Sequence, residues 1–276
     1  VAMATFAVED SVIKIVSSAL PVGQILFLLG VGGALTFAGL SVILRKEIFS
    51  YGVFHRSMHF RVVSEVIGRV FYSSALALTP LASSTMILQA TPLVVAVGAA
   101  VLFKEKVSAL RWAAVLLGFF GVLIIVNPSS DSFSLLSILA VIGMLGFAGR
   151  DLASRAVPKS LNIFTLGVHG FISIALSGIV LTLYHGSPII WPDFRSWLYL
   201  LLGIFLGTIG YSTLISAMRI GEVSAITPFR YSRIIFGIAI GVFFFGESIS
   251  FTAALGCGLI VLSSFIVLHP SGRNRP

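Results

Sequence analysis

The sequence predicts an all-α integral membrane protein in which ten transmembrane helices form two inverted five-helix repeats. Three observations lead to this fold: long apolar segments with few charges, short motifs that recur in both halves, and a basic bias that differs between connectors. Of the 276 residues, 57% are hydrophobic and only 10% are charged. Because a soluble domain carries about 25% charged residues, this composition cannot cover the surface of a water-soluble globule.

The apolar residues occur in segments long enough to cross a bilayer. A span needs roughly 20 mostly apolar residues, and backbone polar groups in lipid must be satisfied within the segment, which favours helices. A transmembrane β-barrel would show strict alternation, which Leu135–Phe147 and Leu198–Ile209 lack. We predict spans 1 to 10 at Ala2–Ala19, Val22–Leu44, Val62–Leu78, Ser83–Phe103, Leu110–Val126, Leu135–Ala156, Ile163–Tyr184, Trp197–Met218, Ser224–Phe245 and Phe251–Leu268.

Short motifs recur in the two halves in the same order. Phe6–Lys14 and Phe147–Arg155 share an aromatic residue, an Ala, an Asp and a base four residues after that Asp. A second match joins Phe103–Ser108 to Phe245–Ser250. Internal repeats of this kind are a signature of transporter folds. We predict a first repeat over residues 1–126, a linker over 127–134, a second repeat over 135–268 and a basic tail over 269–276.

The charges indicate that the second repeat has the opposite orientation. Five spans per repeat is an odd number, so the second copy enters the membrane from the other side. Lys and Arg concentrate in cytoplasmic connectors. The turn after span 4 carries Lys104 and Lys106, whereas its copy at Gly246–Ser250 has neither base. Both termini are therefore predicted to be cytoplasmic, in a cell (inner) membrane, and Arg195 is the clear exception among the outside connectors.

Composition also argues against several other classes of protein. The formal net charge of +8 is explained by membrane orientation, so no nucleic-acid partner is expected. The single Cys257 excludes an intramolecular disulfide, and together with scattered histidines it cannot form a zinc site. No metal and no cofactor are expected. Glu9 and Asp10 interrupt the first apolar segment, so no cleavable signal peptide is predicted.

Several short motifs together carry a resemblance to a known family. They are Ala90–Leu93, Phe103–Glu105, Leu117–Val122, Ser216–Ser224 and Gly246–Glu247. In order and spacing they resemble the EamA-type drug/metabolite transporter (DMT) superfamily over nearly the whole chain, as two EamA repeats. The resemblance implies ten helices, cytoplasmic termini and a central cavity lined mainly by spans 1, 3, 4, 6, 8 and 9. It does not imply a substrate.

Two arginines in predicted span 9 are the leading candidates for substrate binding. Arg230 and Arg233 lie roughly 10–15 Å beyond the connector at Arg219, by helix rise, and share one helix face. Ionisable residues inside a span are costly and face a cavity or a partner. We predict that both arginines bind an anionic or zwitterionic substrate. The alternative is that they hold helices together by pairing with an acid, namely Asp10, Glu65 or Asp151.

Further polar residues are secondary candidates for contact with the substrate. Tyr231 and Gln89 fall in corresponding stretches of spans 9 and 4, and helix packing is the alternative role for Tyr231. Arg61, Glu65 and Arg69 are spaced four residues apart, as a ladder on one helix face. Local salt bridges near the cytoplasmic interface explain this ladder, and Arg69 is its member most deeply placed toward a cavity.

The acids of spans 1 and 6 suggest structural pairs and a coupling hypothesis. The repeated spacing predicts ion pairs of Asp10 with Lys14 and of Asp151 with Arg155. Glu9 is a further candidate for the substrate site, because Arg150 takes its place in the second repeat, and a contact between these two residues across the pseudo-twofold is a second hypothesis. The candidates for proton coupling are Glu9, Asp10 and Glu65.

The sequence favours a secondary carrier that moves a small metabolite by alternating access around a site near the midplane of the membrane. An intramembrane lipid-modifying enzyme would need clustered acids, histidines or metal ligands, and a channel would need rings of polar residues. Both stay open as alternatives. The expected partners are a small-molecule substrate and the bilayer. The substrate, the direction of transport and the coupling ion are left open, and a homodimer is one alternative for the oligomeric state.

Overall fold

The computed structural model describes residues 1–48, 51–78, 87–105, 107–126, 137–158, 160–220, 226–245 and 251–268. Within these ranges the chain forms ten α-helices, two short 3-10 helices at Tyr51–Phe54 and Thr227–Tyr231, and no strand. The α-helices are α1 Ala2–Val16, α2 Val22–Ile43, α3 Arg56–Leu78, α4 Thr91–Leu102, α5 Ala109–Val126, α6 Ser137–Ala156, α7 Ile163–His185, α8 Phe194–Ile220, α9 Ser232–Phe245 and α10 Phe251–Leu268.

The helices confirm the predicted all-α membrane class. Helices α2, α7 and α8 are each long and apolar enough to cross a membrane. Shorter apolar helical stretches occur at Thr91–Leu102, Ala109–Gly121 and Ala254–Ser263. The side chains of α2, α7 and α8 include many exposed Leu, Ile, Val and Phe, which suits a surface that faces lipid rather than water.

Predicted spans 3 and 9 differ from the helices in the structure by more than one helical turn. Helix α3 begins at Arg56 rather than Val62, because its polar first turns also bury side chains: Met58 and Arg61 are each 1% exposed. The described part of predicted span 9 includes the 3-10 helix Thr227–Tyr231, with proline in its first turn, and continues as an α-helix from Ser232. Proline lacks the N–H that a continuous α-helix requires at that point. The first part of predicted span 4, at 83–86, lies outside the described residues.

The helices pack mainly in four pairs: α2 with α7, α3 with α6, α5 with α10, and α1 with α8. Glycines bring the backbones together in these pairs. In α2 and α7, Gly23 faces Thr182 and Gly33 faces Phe171. The partner number falls as the α2 number rises, so the two helices run antiparallel. Small residues allow this close approach in membrane proteins, where packing drives helix association.

Helices α3 and α6 are held close by two facing glycines. A Cβ atom on Gly146 would lie 2.5 Å from the backbone N of Gly68 and 2.9 Å from the backbone O of Ser64. Gly143 faces Tyr72 in the same way, so α3 and α6 are also antiparallel. Buried charged side chains bridge the same two helices.

We expect Gly146→Ala to destabilise the protein by about 1–3 kcal/mol, the usual cost of overpacking a tight interior. The added methyl group meets backbone atoms of α3, which cannot rotate away. The measurement is thermal unfolding of the purified protein in detergent. Gly39→Ala in α2 is the matched control, since a Cβ atom there has nothing within 4 Å. Equal melting temperatures for the two variants would contradict the close packing of α3 on α6.

Candidate functional site

Buried charged side chains link α3, α6 and the 3-10 helix Thr227–Tyr231, which directly precedes α9. We call this group the charge cluster. Its acids are almost completely buried, since Glu65 is 0% and Asp151 is 2% exposed. Ions this deep cost several kcal/mol each unless they are paired and hydrogen-bonded. The members are Arg61, Glu65 and Arg69 of α3, Arg150 and Asp151 of α6, and Arg230 of the 3-10 helix.

Glu65 binds two arginines of the charge cluster. Arg150 Nη1 donates to both carboxylate oxygens, at 3.2 and 3.3 Å. Arg69 Nε donates to Glu65 Oε1 at 3.3 Å, because one helical turn places side chains i and i+4 on the same face. The hydroxyl of Tyr211 on α8 lies 3.5 Å from Oε2. Glu65 therefore ties three helices together.

Asp151 is the second acid of the charge cluster and binds a different pair of arginines. Arg150 Nε donates to Asp151 Oδ1 at 2.8 Å, and Arg230 Nη1 donates to Oδ2. Arg150 therefore bridges the two carboxylates. The plane of Phe147 supports it, with the Arg150 guanidinium carbon 5.1 Å from the ring centroid. Asp151 joins α6 to the 3-10 helix where predicted span 9 departs from α-helical geometry.

Arg61 has no direct bond to an acid among the described residues. Its Nε donates to Ser154 Oγ at 3.0 Å, and its Nη2 donates to the Tyr211 hydroxyl. Tyr211 is held in place by Phe37 and Phe171, whose ring centroids lie 6.4 and 5.3 Å from its own. The remaining nitrogen, Nη1 of Arg61, is buried and has no hydrogen-bond partner in the described part of the chain.

The charge cluster has more positive than negative charge. Four arginines face two carboxylates, so the formal charge is +4 − 2 = +2. A small cavity of about 10 Å³ opens beside it. Its wall consists of Arg61, Arg150, Asp151, Ser154, Tyr211, Leu214, Ile215 and Met218. A buried site with surplus positive charge can hold an anion, and a guanidinium supplies N–H donors for one.

The predicted candidates of span 9 are separated in the structure. Arg230 pairs with Asp151, which is the alternative that the sequence left open. Arg233 instead lies over the ring of Phe6 on α1, with the guanidinium carbon 5.5 Å from the centroid. Tyr231 is 0% exposed and packs against Gly118 of α5, so its position fits the helix-packing alternative.

Two of the other candidates are members of the charge cluster. Arg69 and Glu65 belong to it. Gln89 is 9% exposed, in the turn before α4. Glu9 is buried against α8, where a Cβ atom on Gly207 would lie 3.1 Å from Glu9 Oε1. The side chains of Asp10 and Lys14 lie outside the described part of the chain.

Two contacts predicted from spacing are replaced by others in the structure. Asp151 was expected to pair with Arg155, but Arg150 and Arg230 occupy its oxygens. Arg155 Nη1 donates to the backbone O of Arg219 at 2.7 Å, where it caps the last turn of α8. The expected contact of Glu9 with Arg150 is likewise replaced, because Arg150 is turned toward Glu65 and Asp151 on the α3 side of α6.

Sequence reasoning missed Arg61, Tyr211 and Ser154 as members of one polar site. The only signal in the sequence was the four-residue spacing of Arg61 with Glu65 and Arg69.

The two carboxylates of the charge cluster converge on a shared arginine. General acid–base catalysis would instead require an acid or base poised to exchange a proton with a substrate.

The sequence of the chain is similar to those of known membrane transporters. The sequence model of the EamA-like transporter family matches residues 1–127 and 135–269. A riboflavin transporter of Vibrio cholerae is 27% identical over 223 residues, which cover 78% of this chain and 72% of the relative. A pseudopaline exporter of Pseudomonas aeruginosa is 25% identical and covers 94% of this chain and 90% of its own length.

Two further matches extend this comparison. An S-adenosylmethionine uptake transporter of Rickettsia prowazekii is 21% identical, over 75% of this chain and 69% of the relative. One solved crystal structure has a TM-score of 0.80 at 20% sequence identity, over 96% of this chain and 93% of that chain. At this identity the crystal structure shows a shared fold, while the named relatives are all transporters of small molecules.

Proposed function

Because the chain belongs to the EamA-like transporter family, we propose that it is a secondary carrier that moves a small anionic or zwitterionic metabolite by alternating access. It is a membrane transporter and not an enzyme. The relatives are named for riboflavin, pseudopaline and S-adenosylmethionine. Since these compounds differ, membership of the family does not determine the substrate. The substrate must be inferred from the residues that form the site in this chain.

The observation that carries the proposal is the surplus positive charge of the charge cluster. Among the described side chains, four arginines meet two carboxylates in a site that is largely excluded from solvent. Unpaired charge in such surroundings is destabilising. A substrate with a carboxylate or phosphate supplies the missing negative charge and binds through charge-assisted hydrogen bonds. The candidate ligands for the substrate are Arg230, Arg233, Tyr231, Gln89, Arg69 and Glu9.

Helix packing supports two units of opposite orientation, over residues 1–126 and 135–268. If the units are related by a pseudo-twofold axis, each contact between helices should recur with the units exchanged. Gly68 of α3 accommodates the ring of Phe147 on α6, and Gly210 of α8 accommodates the ring of Phe6 on α1. These are the two aromatic residues that match in the repeated motif.

The helices that correspond in the two units support the same arrangement. Helices α2 and α7 are antiparallel. Helix α5 runs antiparallel to α10, since Gly118 faces Ser263 and Gly121 faces Gly256. Corresponding helices that oppose each other are the geometry of an inverted repeat. Since basic residues concentrate in the cytoplasmic connectors of membrane proteins, the Lys104 and Lys106 turn supports our proposal that both termini are cytoplasmic, in an inner membrane.

The charge cluster lies where the two proposed units meet. Glu65 belongs to the first unit, whereas Arg150, Asp151 and Arg230 belong to the second. At the related contact on the other side of the axis, a Cβ atom on Gly207 would lie 3.1 Å from Glu9 Oε1. A rocking motion of one unit against the other would change the Glu65–Arg150 contact.

Transport in proteoliposomes tests the proposal. We expect Arg230→Gln and Arg233→Gln to raise the KM for an anionic substrate by about tenfold or more, the equivalent of about 1.4 kcal/mol. Arg195→Gln is the matched control, because Arg195 is exposed next to Tyr199 near the start of α8. Saturable uptake with counterflow separates a carrier from a channel. Unchanged KM in well-folded variants of both arginines would refute their assignment to the substrate.

Coupling to protons is a second part of the proposal, with Glu9, Asp10 and Glu65 as candidates. An imposed pH gradient should then drive accumulation of the substrate, and a protonophore should abolish it. Replacement of Glu9 or Asp10 by its amide should leave counterflow intact but remove accumulation if that acid couples transport to protons. Accumulation that is indifferent to the protonophore would show that another gradient drives transport.

A further inference from the structure

The cavity beside the charge cluster has one buried donor that nothing in the described structure satisfies. Arg61 is 1% exposed, and its Nε and Nη2 are fixed by Ser154 and Tyr211. Its Nη1 has no hydrogen-bond partner among the residues that the structure describes. A buried donor left unpaired is destabilising, and more so when it is charged. The position of Arg61 therefore calls for an acceptor in the cavity that it lines.

Water and an anion are the two kinds of acceptor that fit this space. The volume of about 10 Å³ is on the scale of one water-sized group. A water molecule would satisfy the N–H but leave the formal charge of +2 unbalanced. A monovalent anion would accept from the N–H and would also lower that formal charge to +1. Asp151 also lines the cavity, and its own charge is already bound by Arg150 and Arg230.

We propose that Arg61 is the anchor of a binding site for one compact anion, held against Arg61 Nη1 in this cavity. Its occupant is either a free halide or one oxygen of the carboxylate of the transported metabolite. The second source rests on the proposed transport function, whereas the first does not. Ser154 and Tyr211 fix the guanidinium so that Nη1 points to the anion, which makes them positioning residues.

Thermal unfolding of the purified protein in detergent tests the site without any transport. Chloride and bromide should raise the melting temperature with a saturable dependence on concentration, as expected for a ligand of the folded state. Isethionate at the same ionic strength is too large for the cavity and should have no such effect. Arg61→Gln should abolish the halide-dependent rise, and Arg56→Gln, an exposed arginine on the same helix, should retain it.

Transport kinetics separate the two sources of the anion. If a free halide fills the site, replacing chloride by isethionate on both sides of proteoliposomes should lower the rate of transport. If the carboxylate of the substrate fills it, chloride should compete and raise the KM. In both cases Arg61→Gln should remove the dependence on chloride, and Arg61→Lys, which keeps the charge, should retain part of it.

A melting temperature that does not respond to halide, with transport indifferent to chloride, would overturn the anion site and mean that water fills the cavity. That result would leave the transport proposal standing. The reverse result, halide-dependent stability with no saturable transport of any metabolite, would contradict the transport proposal and keep the anion site. If Arg61→Gln does not fold, the titration of the unmodified protein and of Arg61→Lys still decides the question.

Discussion

Glu65→Gln is expected to destabilise the protein by about 3–5 kcal/mol, the cost of breaking a buried ion pair by removal of one partner, and to abolish transport. Glu65 is 0% exposed and binds Arg150 and Arg69. Its loss leaves four arginines facing one carboxylate, a formal charge of +4 − 1 = +3. The measurements are the melting temperature in detergent and uptake in proteoliposomes at matched protein amounts.

Glu47→Gln is the matched control for this prediction. Glu47 carries the same carboxylate on an exposed side chain before the 3-10 helix Tyr51–Phe54, so its loss should change the melting temperature little. A second variant, Glu65→Gln with Arg150→Gln, removes one charge of each sign and should recover part of the lost stability. If Glu65→Gln and Glu47→Gln were equally stable, the charge cluster could not hold the helices together as described.

Asp151→Asn and Arg230→Gln are expected to show a coupling of about 1–3 kcal/mol in a double-mutant cycle, within the range for residues in direct contact. The buried carboxylate of Asp151 accepts from Arg230, so each single change leaves an unpaired charge and the second change relieves it. The free energy of unfolding of the four proteins gives the coupling. Asp151→Asn combined with Arg233→Gln is the control, because Arg233 lies over Phe6.

The same cycle distinguishes the two roles of Arg230 that the sequence left open. If Arg230 only supports Asp151, the double variant should recover transport together with stability. If Arg230 also binds the substrate, stability should return while the KM stays about tenfold or more above that of the unmodified protein. Additive losses in both quantities would mean that Arg230 and Asp151 do not act as a pair.

The elements built from local pattern were predictable from the sequence. The length of the apolar segments alone predicts the bounds of α10, Phe251–Leu268. It also predicts the bounds of α2 and α7 to within one residue. The prediction of helix bounds fails where polar and apolar residues are mixed. Arg56, Ser57 and His59 make the start of α3 polar, so the predicted span begins too late, and the burial of Arg61 depends on α6 and α8.

The pairing of charges was harder to predict, because it is decided by which helices meet. The spacing of Asp151 and Arg155 satisfies the i, i+4 rule, yet Arg230 arrives from an element 79 residues away and takes one of the oxygens of Asp151. Pro228 is visible in the sequence within predicted span 9, where a proline favours a kink because it removes a backbone donor. In the structure this proline lies in a 3-10 helix that delivers Arg230 to Asp151. The sequence could name the arginine but not the geometry that positions it.

The central claim is that two related five-helix units lie in the membrane with opposite orientation. Single cysteines test it directly, in a Cys257→Ser background that removes the only native thiol. Lys104→Cys follows α4, and Phe251→Cys begins α10, and both positions are exposed. An inverted pair predicts that a membrane-impermeant maleimide labels Phe251→Cys in intact cells and Lys104→Cys only after permeabilisation. Labelling of both cysteines from the same side would contradict the inverted repeat and the alternating-access carrier built on it.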